Sequence, residues 1–82
     1  MFTTYILFSN STQRFYTGHC EDFSVRLEQH NSGRNKSTKY GIPWEIAFSR
    51  YFNSRAEATS LEIKIKKRGA KRFLEDLKNS IG

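Results

Sequence analysis

Between Phe2 and Ser9 the chain reads FTTYILFS, a run of aromatic and β-branched residues that suits a pleated, half-buried surface better than a helix. The polar, turn-forming stretch Asn10-Ser11-Thr12-Gln13 interrupts it, and apolar character resumes from Arg14 to Cys20 with Phe15, Tyr16 and Thr17. Two such runs around a short polar turn predict a β-hairpin. Side chains alternate across a strand, so Thr3, Tyr5 and Leu7 fall on one face and Phe2, Thr4, Ile6 and Phe8 on the other. Tyr5 and Tyr16 then come within a position or two of facing each other.

The period changes to a helical one at DFSVRLEQHN, Asp22 to Asn31. Phe23, Arg26, Leu27 and His30 stand at i, i+3, i+4 and i+7 as its inward stripe, with Asp22 as cap or first-turn acid and Asn31-Ser32-Gly33 as the stop. Gly33 to Pro43 is a polar, basic loop, and Trp44 to Phe52 returns to alternation as a third strand, with Trp44, Ile46 and Phe48 on one side and Glu45, Ala47 and Ser49 on the other. Ser54-Arg55-Ala56-Glu57 has the spacing of a capping box and opens a helix to about Lys67. Gly69 interrupts it, and Ala70 to Lys78 reads as a last helix on Phe73, Leu74 and Leu77. The order is β-β-α-β-α-α, with Phe2, Ile6, Phe8, Trp44, Ile46, Phe48, Leu61 and Ile65 as core and Cys20 as a small packed residue.

Both long stripes carry polar residues where aliphatic ones are usual: Arg26 and His30 in the first, Glu62 among Ala58, Leu61 and Ile65 in the second. Buried charge is costly unless paired or bound to a cation, so these groups are candidates for one shared polar cleft. Length and composition narrow the rest. Eighty-two residues make one small domain, spanning 1–82, because a chain this short buries only about 60% of its unfolded surface. Its 37% hydrophobic and 15% aromatic content argues against disorder. The single cysteine excludes an internal disulfide and a multi-thiolate zinc site. The longest strongly apolar run, Tyr5 to Phe8, is far short of a membrane span, so a soluble, cytoplasmic protein without a membrane role is expected.

A formal charge of +6 favours a polyanionic partner through phosphate contacts and counterion release. Lys64, Lys66, Lys67, Arg68, Lys71 and Arg72 place six cations in nine residues with no acid between Ile63 and Phe73, where self-repulsion opposes folding unless a polyanion or nearby acids intervene. Arg34, Lys36 and Lys39 load the loop before the third strand. Both clusters read as phosphate tracks, to which Ser37 and Thr38 could add neutral contacts.

No Walker loop, dinucleotide glycine pattern, HExxH or CxxC pair occurs. What remains is two tyrosines, an arginine, a histidine and a glutamate. Phosphodiester hydrolysis needs a cation held on a carboxylate, a base for the attacking water and a positive charge on the phosphoryl oxygens, and each part has a candidate.

In their order and spacing Tyr5-Ile6-Leu7, Phe15-Tyr16-Thr17-Gly18, the helix from Asp22 with Arg26 and His30, Pro43-Trp44-Glu45, and Ser54 to Ala58 followed by Leu61 to Lys66 resemble the motifs of the GIY-YIG endonuclease superfamily. The similarity is to its small stand-alone bacterial members, which are related to the N-terminal nuclease domain of the bacterial excinuclease. The chain departs from the motifs at Thr4 and Thr17, which are backbone or packing positions, and at Leu61, often basic in relatives. The resemblance implies an α/β fold, a small three-stranded antiparallel sheet flanked by helices, and a divalent-metal-dependent DNA endonuclease acting in repair or recombination. With little surface for reading a long site, such a domain is expected to cut by structure or context. By the same resemblance Tyr5 and Tyr16 line the cleft, one activating the water and the other placing phosphate or water. Arg26 holds the scissile phosphate, His30 orients the water or a tyrosine hydroxyl, Glu62 is the sole protein ligand of Mg²⁺ or Mn²⁺, and Asn79 lies where some relatives carry an asparagine near the phosphate.

Each residue also has a plainer reading: strand tyrosines, a solvated Arg26 bridging to Asp22 or Glu28, a packed His30, and Glu62 paired with Lys66 at i,i+4. Two other functions stand beside the nuclease. One is a non-catalytic nucleic-acid-binding module; the other is a subunit that needs a protein partner for activity. RNA in place of DNA is left open.

Overall fold

The computed structural model describes residues 1–81. In chain order they form β1 (Phe2–Ser9), β2 (Phe15–Cys20), α1 (Phe23–Asn31), a 3-10 turn (Lys39–Gly41), β3 (Trp44–Phe52), α2 (Arg55–Arg68) and α3 (Ala70–Ile81). The strands make one antiparallel sheet in the order β2-β1-β3, so the fold is the α/β arrangement that the sequence indicates. No helix among the described residues is long and apolar enough to cross a membrane.

β1 is the central strand and is covered on both faces, which leaves Thr3, Thr4, Tyr5, Ile6 and Leu7 all buried. Double coverage is why its sequence reads as a continuous run. One face joins Tyr5, Leu7, Cys20 and Trp44 to Phe23 and Leu27 of α1. The other joins Ile6 to Leu61 and Ile65 of α2 and Phe73 of α3, with Phe15, Phe48 and Phe52 at its margin. The hairpin register sets Leu7 opposite Tyr16 and Tyr5 opposite Gly18, so both tyrosines lie on the α1 face, two positions apart in register.

The third strand departs from the simple alternation. Ile6 pairs with Phe48 but Leu7 pairs with Ile46, with the irregularity between them, so Ala47 is an extra residue. A bulge slips the two-residue period: Trp44 joins the Tyr5 cluster while Phe48 joins Ile6 on the opposite face. Ile46 is not a core residue. It is 51% exposed, because β3 is an edge strand and the apolar residues of α1 gather nearer the sheet centre. Phe2 and Phe8 are half-buried.

The helix ends follow their capping chemistry. Asp22 accepts from the Val25 N–H at 3.3 Å, and the Ser54 hydroxyl oxygen accepts from the Glu57 N–H at 3.2 Å while its proton goes to Glu57 Oε1 at 3.0 Å. Gly69 takes φ +90°, a left-handed value that favours glycine, and its N–H donates to Ile65 O at 2.7 Å. α2 therefore ends one residue beyond the stop placed at Lys67, and α3 runs three residues beyond Lys78. Arg26 corrects the inward stripe assigned to α1: only His30 of that helix is buried, and Arg26 is exposed.

Candidate active site

The Tyr5 ring extends from β1 across β2 at Gly18. A β-carbon at Gly18 would lie 2.8 Å from the phenolic oxygen and 3.0 Å from Cζ, so the crossing depends on glycine there. The ring ends against α1, where the Tyr5 hydroxyl meets His30 Nε2 at 3.0 Å. On the other side of the imidazole, Nδ1 meets the Thr38 hydroxyl at 2.9 Å, and Thr38 donates to the Asn35 carbonyl at 3.4 Å. With the Thr38 proton directed at a carbonyl, its oxygen accepts from Nδ1–H. Nε2 is then the acceptor for the Tyr5 proton.

Tyr5 and His30 are 1% and 0% exposed. The His30 pKa is lowered, first by burial and then by the Arg26 charge. The Tyr5 pKa is raised, first by burial, then by Tyr16, Cys20 and Glu62, with Arg26 opposing. Tyr5 is therefore a protonated donor. Tyr16 is half-buried; its ring lies 4.9 Å from His30, 6.5 Å from Tyr5 and 6.2 Å from Trp44.

Glu62 approaches from α2, on the other face of the sheet. Its Oε1 meets His19 Nδ1 at 2.5 Å and its Oε2 takes the Lys66 ammonium at 2.6 Å. The i,i+4 pair that competes with a metal role is thus formed, but it uses one oxygen only. Burial raises the Glu62 pKa, yet hydrogen bonding and charge from Lys66 and His19 outweigh it and the pKa is lowered, so the carboxylate stays ionised. Thr4, a departure from the motif, donates to the Ala58 carbonyl at 2.7 Å and ties α2 to β1 one turn before Glu62. The charges of Arg26 on α1 and Glu62 on α2 act on the Tyr5 phenol in opposite senses, Arg26 lowering its pKa and Glu62 raising it.

Tyr5, Tyr16 and His30 pack against one another on the α1 face, Glu62 reaches β2 at His19 from the other face, and Arg26 stands exposed on α1. His30 does not face the cleft: it is enclosed and holds a tyrosine hydroxyl. Thr38, read as a phosphate contact, is 1% exposed and serves His30 and Trp44, whose indole N–H donates to the Thr38 carbonyl at 2.8 Å. Ser37 is exposed and donates to Asn35 Oδ1 at 2.7 Å. Asn79 is exposed in the last turns of α3, whose packed residues belong to the second face.

The cationic run is less uniform than its sequence. Lys66 is held by Glu62, and Arg68 makes a two-pronged contact with Asp76 at 2.8 and 3.0 Å, so acids brought in by the fold relieve the self-repulsion. Lys64, Lys67, Lys71, Arg72, Arg34, Lys36 and Lys39 are exposed. Sequence reasoning missed His19. Its signal was available: it follows Gly18 in the second motif, and alternation sets it on the face opposite Tyr16, toward α2. Arg55, whose guanidinium comes within 3.5 Å of His19 Nε2, had no comparable signal.

Among the described residues no group of three or more His, Cys, Asp or Glu side chains gathers as a metal nest. A single ionised carboxylate such as Glu62, once released from Lys66, fits Mg²⁺ or Mn²⁺, which keep several waters and complete their shell from substrate phosphate.

Comparison with known proteins places these features. The chain is similar to UPF0213 protein SpyM50708 of Streptococcus pyogenes serotype M5 (strain Manfredo) and to UPF0213 protein SpyM3_1077 of serotype M3 (strain ATCC BAA-595 / MGAS315). Each is 39% identical over 54 residues, covering 65% of this chain and 59% of the relative. The aligned part thus spans about three-fifths of the length of these curated relatives. No solved structure matches the chain significantly. The GIY-YIG catalytic domain matches residues 1–75. With that match running from β1 into α3, the chain belongs to the GIY-YIG catalytic domain family, a family of nucleases.

Proposed function

We propose that the protein is a divalent-metal-dependent DNA endonuclease that hydrolyses phosphodiester bonds, directed by DNA structure or context and serving repair or recombination. The observation that carries this reading is the packing of Tyr5 and Tyr16 at the Gly18 crossing, with the next residue, His19, on ionised Glu62, in a chain of charge +6.

The two tyrosines take different roles. Tyr5 is buried, held as a donor to His30 and unsuited to accept a proton, so it fixes the wall of the cleft. Tyr16 is half-buried beside Trp44 and is the phenol that meets the attacking water. Arg26, exposed on α1, offers a guanidinium fork to the phosphoryl oxygens, where a fixed planar cation stabilises developing negative charge. Glu62 holds the Mg²⁺ or Mn²⁺ ion. When bound, that ion acidifies its water and neutralises charge on the phosphate. Lys66, 57% exposed at its side chain, can swing off Oε2 toward a backbone phosphate as the ion binds.

The pairing of both Glu62 oxygens with His19 and Lys66 favours a second reading, a nucleic-acid-binding module or a subunit whose carboxylate is released only by a partner. One experiment separates them. Purified protein is incubated with labelled duplex, single-stranded, flap and four-way-junction DNA, with Mg²⁺ or Mn²⁺ against chelator, beside Glu62→Ala. Metal-dependent cutting lost in the variant supports the nuclease. Binding without cutting under every condition supports the module or subunit.

A further inference from the structure

A cleft of about 550 Å³ opens beside Tyr16, lined by Arg14, Phe15, Ser37, Tyr40 and Trp44 among others. That volume is within the range of small-molecule sites, about 300–1,000 Å³. Its floor is rigid. Trp44 is 8% exposed and anchored through its indole N–H to the Thr38 carbonyl, and the loop lies so close on it that a β-carbon at Gly41 would clash with the indole ring. Its outer wall is the opposite case. Tyr40 is 80% exposed, and its ring is approached by the Lys39 ammonium, 5.8 Å from the centroid.

A large aromatic ring presented to solvent at the rim of a cleft, with the Lys39 ammonium beside it and Arg14 and the Tyr16 phenol in the lining, fits a flat π-face carrying a phosphate. We infer that this cleft takes one unpaired nucleotide of the substrate strand, next to the scissile phosphate, its base stacked on Tyr40 and its phosphate on Arg14. A base within a duplex has both faces covered by its neighbours and cannot stack on a side chain. The cleft therefore selects DNA with an unstacked nucleotide at the cut, such as a flap, a bulge or a single strand. This inference rests on the nuclease reading for the position of the cut but not for binding.

The test uses the full chain in chelator, where nothing is cut, and two hairpin DNAs carrying 2-aminopurine either in a one-nucleotide bulge or fully paired. The bulged DNA should bind at least about fivefold more tightly, the lower end of the effect of stacking one base on an aromatic ring. Its 2-aminopurine emission should fall further on binding than that of the paired probe. Tyr40→Ala should remove the preference and Tyr40→Phe should keep it, with melting curves confirming that both variants fold. Equal affinity for the two probes, a preference that survives Tyr40→Ala, or binding to neither would overturn the inference. Cutting assays separate the two proposals. Metal-dependent cutting of DNA without any preference for the unpaired site removes the pocket and leaves the nuclease; the Tyr40-dependent preference without cutting does the reverse.

Discussion

The phenol of Tyr5 and the carboxylate of Glu62 are pushed in opposite directions by their surroundings, one kept protonated by burial and the other kept ionised by Lys66 and His19. Replacing Glu62 with Gln keeps the shape and removes the charge, so cleavage should fall by about two orders of magnitude or more, the scale of losing a charge-stabilising group, while DNA affinity measured in chelator holds. Gly18→Ala tests the Tyr5 crossing, since the new methyl would press on the phenolic oxygen. It should cost about 1–3 kcal/mol of stability, as overpacking does, and slow cleavage at least about tenfold by displacing the hydroxyl from His30. Chemical denaturation and single-turnover rates report the two effects.

His30 gives a pH dependence whose sign is fixed by its lowered folded pKa. Between that value and the unfolded value of about 6.5 the unfolded chain binds the proton and the folded chain does not. Stability is therefore complete above about pH 6.5 and declines as pH falls through the window. The chain has two histidines, so comparing melting temperatures from pH 5 to 8 for the wild type and His30→Gln isolates the contribution. The variant should lose part of the decline; an unchanged pH profile would remove His30 as its source.

At the scale of elements, α1 and α2 are each tied to the rest of the fold near their candidate site residues. α2 is fixed at its start by Ser54 and, one turn before Glu62, by the Thr4 hydroxyl on the Ala58 carbonyl. Removing the cap with Ser54→Ala should cost about 1 kcal/mol. Thr4→Val, which keeps the shape but removes the hydroxyl donor from a carbonyl that still serves its own helix, should cost about 0.5–1.5 kcal/mol. Only Thr4→Val should also change the response of cleavage to metal concentration, because its contact is nearer Glu62. α1 is held at its far end by Asn31, which accepts from the Trp44 N–H at 2.6 Å and donates to the Trp44 carbonyl at 3.2 Å. That link fixes the loop containing Thr38, and with it the orientation of His30.

Over the whole molecule the positive charge divides into held and free cations. Arg68 is committed to Asp76, whereas Lys36 and Lys39 are exposed in the loop before β3. Each phosphate contact contributes about 0.9 to the slope of log affinity against log salt on duplex DNA. Lys36→Ala with Lys39→Ala should therefore lower affinity and reduce the magnitude of that slope by about 2. Arg68→Ala should leave the slope nearly unchanged. Titrations at several salt concentrations check both.

The sequence by itself determined what local chemistry can determine. The strand and helix order, the caps at Asp22 and Ser54, the stop at Gly69 and the hairpin that brings Tyr5 and Tyr16 to one face all follow from side-chain period and turn residues acting over a few positions. It also showed a carboxylate at Glu62 and an imidazole at His30 set among apolar stripe residues, which are visible without coordinates. Tertiary structure decided what depends on contacts distant in the chain. The bulge at Ala47 put Trp44 and Phe48 on opposite faces and left Ile46 in solvent. Packing enclosed His30 with Thr38 instead of leaving it to the cleft, brought His19 from β2 onto Glu62 of α2, and gave Arg68 its acid from α3. Burial and charge pairing are properties of neighbours in space, and those neighbours are chosen only when the sheet and helices pack.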